Sequence, residues 1–192
     1  MKKWWILILM AGLCGMAQAT VVVNVNQVGS DIVWDWSGSL NTTGATLADT
    51  FGGFSAYVRP YYVEMPLYGA PQNTYAYSIS GPSFGDLGDG SAVNGFTTKS
   101  GNTSFGISSY GSQVWLAQFY TSGSSIYGTN VMANKTLSGI GLNGGTYEWT
   151  VTGNGDKITV NVIPEPASAL LIGCGGLLVV GYRRMRKSYG HF

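Results

Sequence analysis

The chain is short of the residue types on which most enzyme chemistry depends. It has one histidine, His191, close to the C-terminal end, and two cysteines, Cys14 and Cys174, each inside an apolar terminal segment. The body between residues 20 and 163 contains neither type. That removes Ser-His-Asp catalysis, thiol nucleophiles and His- or Cys-based metal sites from it, and it must fold without disulfides. Charge is also scarce, and it is unevenly placed. The body carries four basic residues, Arg59, Lys99, Lys135 and Lys157, against eight acidic ones: Asp31, Asp35, Asp49, Glu64, Asp86, Asp89, Glu148 and Asp156. The resulting net charge of −4 argues against nucleic acid as a partner, because neutralising phosphates takes clustered Lys and Arg.

Without His or Cys, catalysis would fall to carboxylates. A glycosidase needs two of them flanking one cleft. Glu64 and Glu148 are available, and Asp31 alternates with Asp35 along one segment, but no spacing singles out a pair. Asp86, Asp89 and Asp156 lie in "GDLGDG" and "GNGDK", which match neither an EF-hand loop nor a nonapeptide calcium repeat. They read as turn residues. The chain is therefore expected to be no enzyme, with no catalytic residue, no metal and no cofactor.

What the body does have is β-strand pattern. Period-2 stretches rich in Val, Ile, Thr, Tyr and Trp recur between Gly, Asn, Asp and Ser clusters, and no sustained 3.6-residue apolar stripe appears. Strands are predicted at 20–28, 31–36, 54–64, 75–79, 103–108, 113–120, 136–142, 146–152 and 157–163. "GNGD" between the last two predicts a hairpin, and 81–101 reads as a long surface loop. This spacing predicts an all-β body, an antiparallel β-sandwich or jelly-roll-like domain.

Aromatic residues give the body its one candidate binding feature. Trp34 and Trp36 share a strand face with Ile32, while Asp31, Val33 and Asp35 share the other. Solvated, the two indoles would form a platform for stacking sugar rings; their sharing a face with Ile32 argues for the core.

The ends carry the targeting information. Residues 1–19 have the three parts of a secretory signal peptide: Lys2 and Lys3, an apolar run from Trp4 to Leu13, and a small-x-small site at Ala17-Gln18-Ala19 ahead of Thr20. Signal peptidase is the partner this implies. A lipid-modified Cys14 is disfavoured, since bulky Leu13 precedes it. At the other end, Pro164-Glu165-Pro166 is followed by an uncharged stretch at 167–182 and then by Arg183, Arg184, Arg186 and Lys187, with a tail at 188–192. As a helix of about 1.5 Å rise per residue, that stretch is short for a hydrocarbon core about 30 Å thick. The basic cluster keeps its end cytoplasmic and the body outside.

The triplet, short apolar helix and basic cluster, in that order over 164–187, resemble the PEP-CTERM sorting signal. The segments 28–44 and 122–166 are similar to small bodies often found with such tails. This resemblance implies an exported protein, a short C-terminal transmembrane helix held transiently in the inner membrane, and cleavage near Pro164 to Pro166 by an exosortase-type membrane protease. It also implies release to the cell surface or extracellular matrix, in association with exopolysaccharide. The alternative is a carbohydrate-binding module using exposed aromatics.

Overall fold

The computed structural model describes residues 18–52, 55–68, 73–83, 85–109 and 112–164. They form an all-β body. Its strands are β1 (Thr20–Val28), β2 (Asp31–Ser39), β3 (Leu47–Phe51), β4 (Glu64–Tyr68), β5 (Thr74–Ser80), β6 (Thr98–Gly101), β7 (Phe105–Ser108), β8 (Gln113–Ala117), β9 (Ser125–Met132), β10 (Gly145–Val151) and β11 (Lys157–Ile163). A 3₁₀ turn occupies Ser138–Ile140.

The strands at the two ends of the body set the register. In β1, Val21, Val23 and Val25 point inward and are fully buried, and β2 answers with Ile32, Trp34 and Trp36. β11 adds Ile158, Val160 and Val162. Burying each valine contributes about 1.5–3 kcal/mol. A one-residue slip of β1 would turn all three outward and send Val22, Asn24 and Asn26 inward in their place. That net exchange of two valines for two amides forfeits about 3–6 kcal/mol of valine burial, a large part of the net stability of a domain, about 5–15 kcal/mol. The alternation therefore specifies the pairing.

The strands follow the path β4-β7-β8-β5-β10-β11-β1-β2-β9-β6, with β3 paired to β5 off that path. The all-β expectation holds. In place of two separate antiparallel sheets there is one open sheet curled into a half-barrel, and one of its ladders, β1 with β11, is parallel. The curl brings the two ends of the path together, and the buried Asn130 of β9 donates its Nδ2 to the Leu67 carbonyl of β4. Phe105, Ile107, Val114 and Leu116 from one half and Trp34, Ile126 and Met132 from the other share a single core.

Four sequence expectations change. The strand expected over 54–64 is broken at Pro60, which fixes φ and has no N–H for a ladder. Val58 bridges Val93, Arg59 pairs with Glu64 across a tight turn, and β4 starts only at Glu64. The strand expected over 136–142 is the 3₁₀ turn, closed by Gly141 at φ 66° and by the Gly139 N–H donating to Thr136 Oγ1 at 3.0 Å. β9, unanticipated, lies between the strands expected at 113–120 and 136–142. The 81–101 loop is less irregular than expected, since β6 begins at Thr98 and Leu87 and Phe96 are buried.

The predicted hairpin joins β10 to β11. Gly153 and Gly155 take φ of 103° and 78°, and the Val151 N–H donates to the Asp156 carbonyl at 2.7 Å. Among the described residues no helix is long and apolar enough to cross a membrane. The span expected at 167–182 lies outside the described residues.

Candidate functional site

Trp34 and Trp36 are buried, with 0% and 2% of their surface exposed, so they form no stacking platform. They belong to the inward set with Ile32. Trp34 meets Phe96 edge-on with centroids 6.1 Å apart, and the Trp36 indole lies where a side chain on Gly128 would be. The carboxylates weighed for catalysis are each held by a neighbour of their own. Glu64 pairs with Arg59 at 3.2 Å and Glu148 with Lys157 at 2.7 Å, while Asp31 accepts the Asn134 N–H at 2.9 Å. Asp86 accepts the Ser83 N–H at 2.6 Å, as a turn residue does. Among the described residues no cluster of three or more His, Cys, Asp or Glu is placed to hold a metal ion.

Of the processing residues, Ala19 and Thr20 are described and Ala17 is not. The Ala19 N–H donates to Asp156 Oδ1 at 3.0 Å, its carbonyl accepts the Lys157 N–H at 3.0 Å, and Thr20 opens β1. Pro164 is exposed just past the end of β11 and lies against Gly144. Glu165, Pro166, Arg183, Arg184, Arg186 and Lys187 lie outside the described residues.

The outer face of the sheet assembles a polar row that no single segment of sequence contains. Thr146, Asn161, Asn24, Asp35, Thr129 and Ser100 are successive register partners across β10, β11, β1, β2, β9 and β6. Asn24, Asp35 and Asn161 point outward because the residues on either side of each point to the core, and Thr146, Thr129 and Ser100 share their face as register partners. With strands about 4.8 Å apart, the row runs about 24 Å across the sheet. Thr146 Oγ1 donates to Asn161 Oδ1 at 3.0 Å, Asn161 Nδ2 to Asn24 Oδ1 at 3.0 Å, and Thr129 Oγ1 to Asp35 Oδ1 at 2.7 Å. At the β6 end Ser100 Oγ donates to the Thr129 carbonyl at 3.3 Å. These bonds fix the side chains yet leave Asn24 Nδ2, Asp35 Oδ2 and the Ser37 hydroxyl with no protein partner among the described residues.

Beside the row lies an open groove of about 490 Å³ lined by Asn24, Asp35, Ser37, Ser100, Tyr127 and Thr129, among others. Tyr127, the cross-strand partner of Ser37, keeps 56% of its surface exposed. Its backbone is pinned, for Asn102 Oδ1 accepts the Tyr127 N–H at 2.8 Å while Asn102 Nδ2 donates to the Ser125 carbonyl at 2.6 Å.

A second aromatic feature is the turn between Arg59 and Glu64. The Val63 N–H donates to the Pro60 carbonyl at 3.0 Å, which puts fully buried Val63 at φ 49°. A β-branched residue there is strained. The turn presents Tyr61 and Tyr62, ring centroids 5.2 Å apart, at 47% and 39% exposure. Arg59 lies over the rings of Tyr57 and Tyr62, at 5.3 Å and 5.9 Å. Burial, reinforced by its hydrogen bond to Glu64, pushes the Tyr57 phenol well above its ordinary range. Polar groups at this turn are thus engaged with one another.

Sequence reading placed Asp35 on the face opposite the tryptophans, which is correct. It missed Tyr127 and Thr129, because Gly128 and Asn130 occupy inward positions of β9 where an apolar signal was expected. Compared with family models, curated proteins and solved structures, the chain finds no match in any of the three.

Proposed function

We propose that this is an exported, non-enzymatic protein delivered to the cell surface or extracellular matrix. In this reading residues 1–19 direct export and are removed by signal peptidase after Ala19. The body is then held transiently outside the inner membrane by the 167–182 helix, and an exosortase-type protease cuts near Pro164, Glu165 and Pro166. The exopolysaccharide matrix is the destination. One observation carries the reading: the triplet, the short uncharged stretch and the four basic residues Arg183, Arg184, Arg186 and Lys187 stand in that order over 164–187, with a leader at the opposite end. Support comes also from the body, whose last β1–β11 pair is Asn26 with Ile163, so Pro164 directly follows the last described strand. A proline cannot extend that ladder and favours extended backbone before it, as a cleavage region requires. Mass spectrometry of the protein from surface and culture fractions tests the proposal. A mature chain from Thr20 to about residue 165 is expected. An intact terminus at Phe192 on a stable membrane form would refute it.

A second reading, a carbohydrate-binding module using exposed aromatics, is favoured by a separate observation. Although Trp34 and Trp36 are buried, the exposed Tyr127 flanks a row of hydrogen-bonding side chains fixed by one another.

A further inference from the structure

We infer that the groove on the outer face of β1, β2, β9 and β6 binds an internal stretch of a neutral polysaccharide chain. The inference rests on the carbohydrate-binding reading and is independent of the sorting tail.

The ligand class follows from what the groove offers. Asn24 and Asp35 are direct cross-strand partners, so a free amide donor and a free carboxylate acceptor stand side by side. A donor beside an acceptor suits adjacent hydroxyls of a sugar ring, each of which both donates and accepts. The Thr129 hydroxyl holds the other oxygen of Asp35 at 2.7 Å, so the carboxylate is oriented before a ligand arrives. Such pre-organisation lowers the ordering cost of binding. Tyr127 supplies a flat apolar surface for the C–H face of a pyranose, and Ser37 opposite it adds a hydroxyl.

Charge narrows the class further. Among the described residues no lysine or arginine lines the groove, and Asp35 is its one carboxylate. A phosphate, a uronate or a nucleic acid would meet a like charge with nothing to pair it, which is the repulsive element that excludes them. The groove is also shallow and open at the surface, unlike the deep pockets that enclose most of a small ligand. The polar row that continues through Asn161 and Thr146 extends past the groove in the direction a polymer would take.

The tyrosine turn is the competing location. It exposes more aromatic surface, but Arg59, Glu64 and Tyr57 already satisfy one another. A sugar stacked on the tyrosines there would meet polar groups already paired with one another, so the groove is favoured.

Affinity electrophoresis of the full chain in mild detergent tests the inference, with hydroxyethylcellulose, galactomannan and a soluble β-glucan as neutral polymers and alginate as the anionic one. At least one neutral polymer should retard the protein and alginate should not. Tyr127→Ala should weaken that retardation tenfold or more and Asp35→Asn at least threefold, with melting temperatures unchanged. Tyr61→Ala/Tyr62→Ala should leave it intact. Loss of retardation in the turn variant but not in Tyr127→Ala would overturn the location while sparing the carbohydrate reading. Failure of every neutral polymer, or preference for alginate, would overturn the inference itself. Should Asp35→Asn lower the melting temperature, Ser37→Ala, at an exposed hydroxyl with no protein partner, replaces it as the second groove variant.

Discussion

Gly128 is where the inner packing and the outer groove meet, and its replacement by alanine tests both. A Cβ at Gly128 would lie 2.1 Å from Trp36 Cζ2 and 2.4 Å from the Ser100 carbonyl oxygen. Ordinary contact is about 3.5–4.0 Å, so each neighbour would have to retreat by more than an ångström. The indole has no room, being buried under the sheet. The carbonyl belongs to β6, which holds to β9 over only four residue pairs and is the easier to displace. Overpacking of this kind costs about 1–3 kcal/mol, and with two collisions Gly128→Ala should fall at the upper end, about 3 kcal/mol.

The partner change separates the two collisions. Trp36→Leu alone leaves a cavity and costs about 3 kcal/mol, near the lower end of values for deleting a buried aromatic. In the double variant the new methyl group meets leucine instead of indole, which relieves the first collision and leaves the second. The double variant should therefore be less destabilised than the sum of the singles by about 1–2 kcal/mol, within the range of measured coupling between touching residues. Urea unfolding followed by circular dichroism reads all four proteins, with unchanged m-values required for comparison. Additivity within about 0.5 kcal/mol, the scatter for uncoupled sites, would refute the claim that the Trp36 ring lies on Gly128.

Two further predictions follow from the tyrosines and the strained turn. At an ordinary backbone position alanine is more stable than glycine by about 0.5–1 kcal/mol; at Val63, with φ 49°, Val63→Gly should instead equal or exceed Val63→Ala in stability, and the usual order in urea melts would show that no strain is held there. Burial raises the phenols of Tyr57, Tyr77, Tyr120 and Tyr147. Because the folded chain holds those protons more tightly than the unfolded one, stability is complete below about pH 10, the ordinary tyrosine range, and falls as pH rises beyond it. The part of the phenolate absorbance due to these four should therefore appear late and together with unfolding; ionisation of all twelve tyrosines in the intact fold would contradict the burial assigned to these groups.

Legibility followed the source of each element's specificity. β1, β2, β10 and β11 were visible because valines, isoleucines and tryptophans alternate with polar residues, and that pattern fixes both strand and face. β9 was hidden because its inward positions answer to partners: Gly128 makes room for Trp36, and Asn130 reaches the Leu67 carbonyl. β3 and β6 lie largely exposed, so nothing apolar marks them. The candidate site was half legible for the same reason. That Asn24 and Asp35 face away from the core follows from alternation; that Asn161, Thr129 and Ser100 join them follows only from strand order, which brings residues from both ends of the body into one row.

Strand order also makes the two proposed cleavages unequal. β1 and β11 are parallel, from Thr20 with Lys157 to Asn26 with Ile163, so the chain before Thr20 joins one pole of the pair and the chain after Ile163 leaves the other, about 20 Å away at about 3.3 Å per residue. Cutting after Pro164 removes nothing from the ladder, which is complete at Ile163. Cutting before Thr20 removes Ala19, whose N–H bonds Asp156 and whose carbonyl accepts from Lys157. Asp156 is buried at 4% exposure and, among the described residues, keeps the Asn41 N–H, at 2.5 Å, as the one backbone donor to its carboxylate. Two hydrogen bonds at about 0.5–1.5 kcal/mol each put the loss at about 1–3 kcal/mol. A chain of residues 20–164 should thus melt several degrees below one of residues 18–164, at about 2–4 °C per kcal/mol for a domain of this size. A chain of residues 18–166 should melt with the latter. Equal melting of all three would mean that Asp156 gains nothing from Ala19.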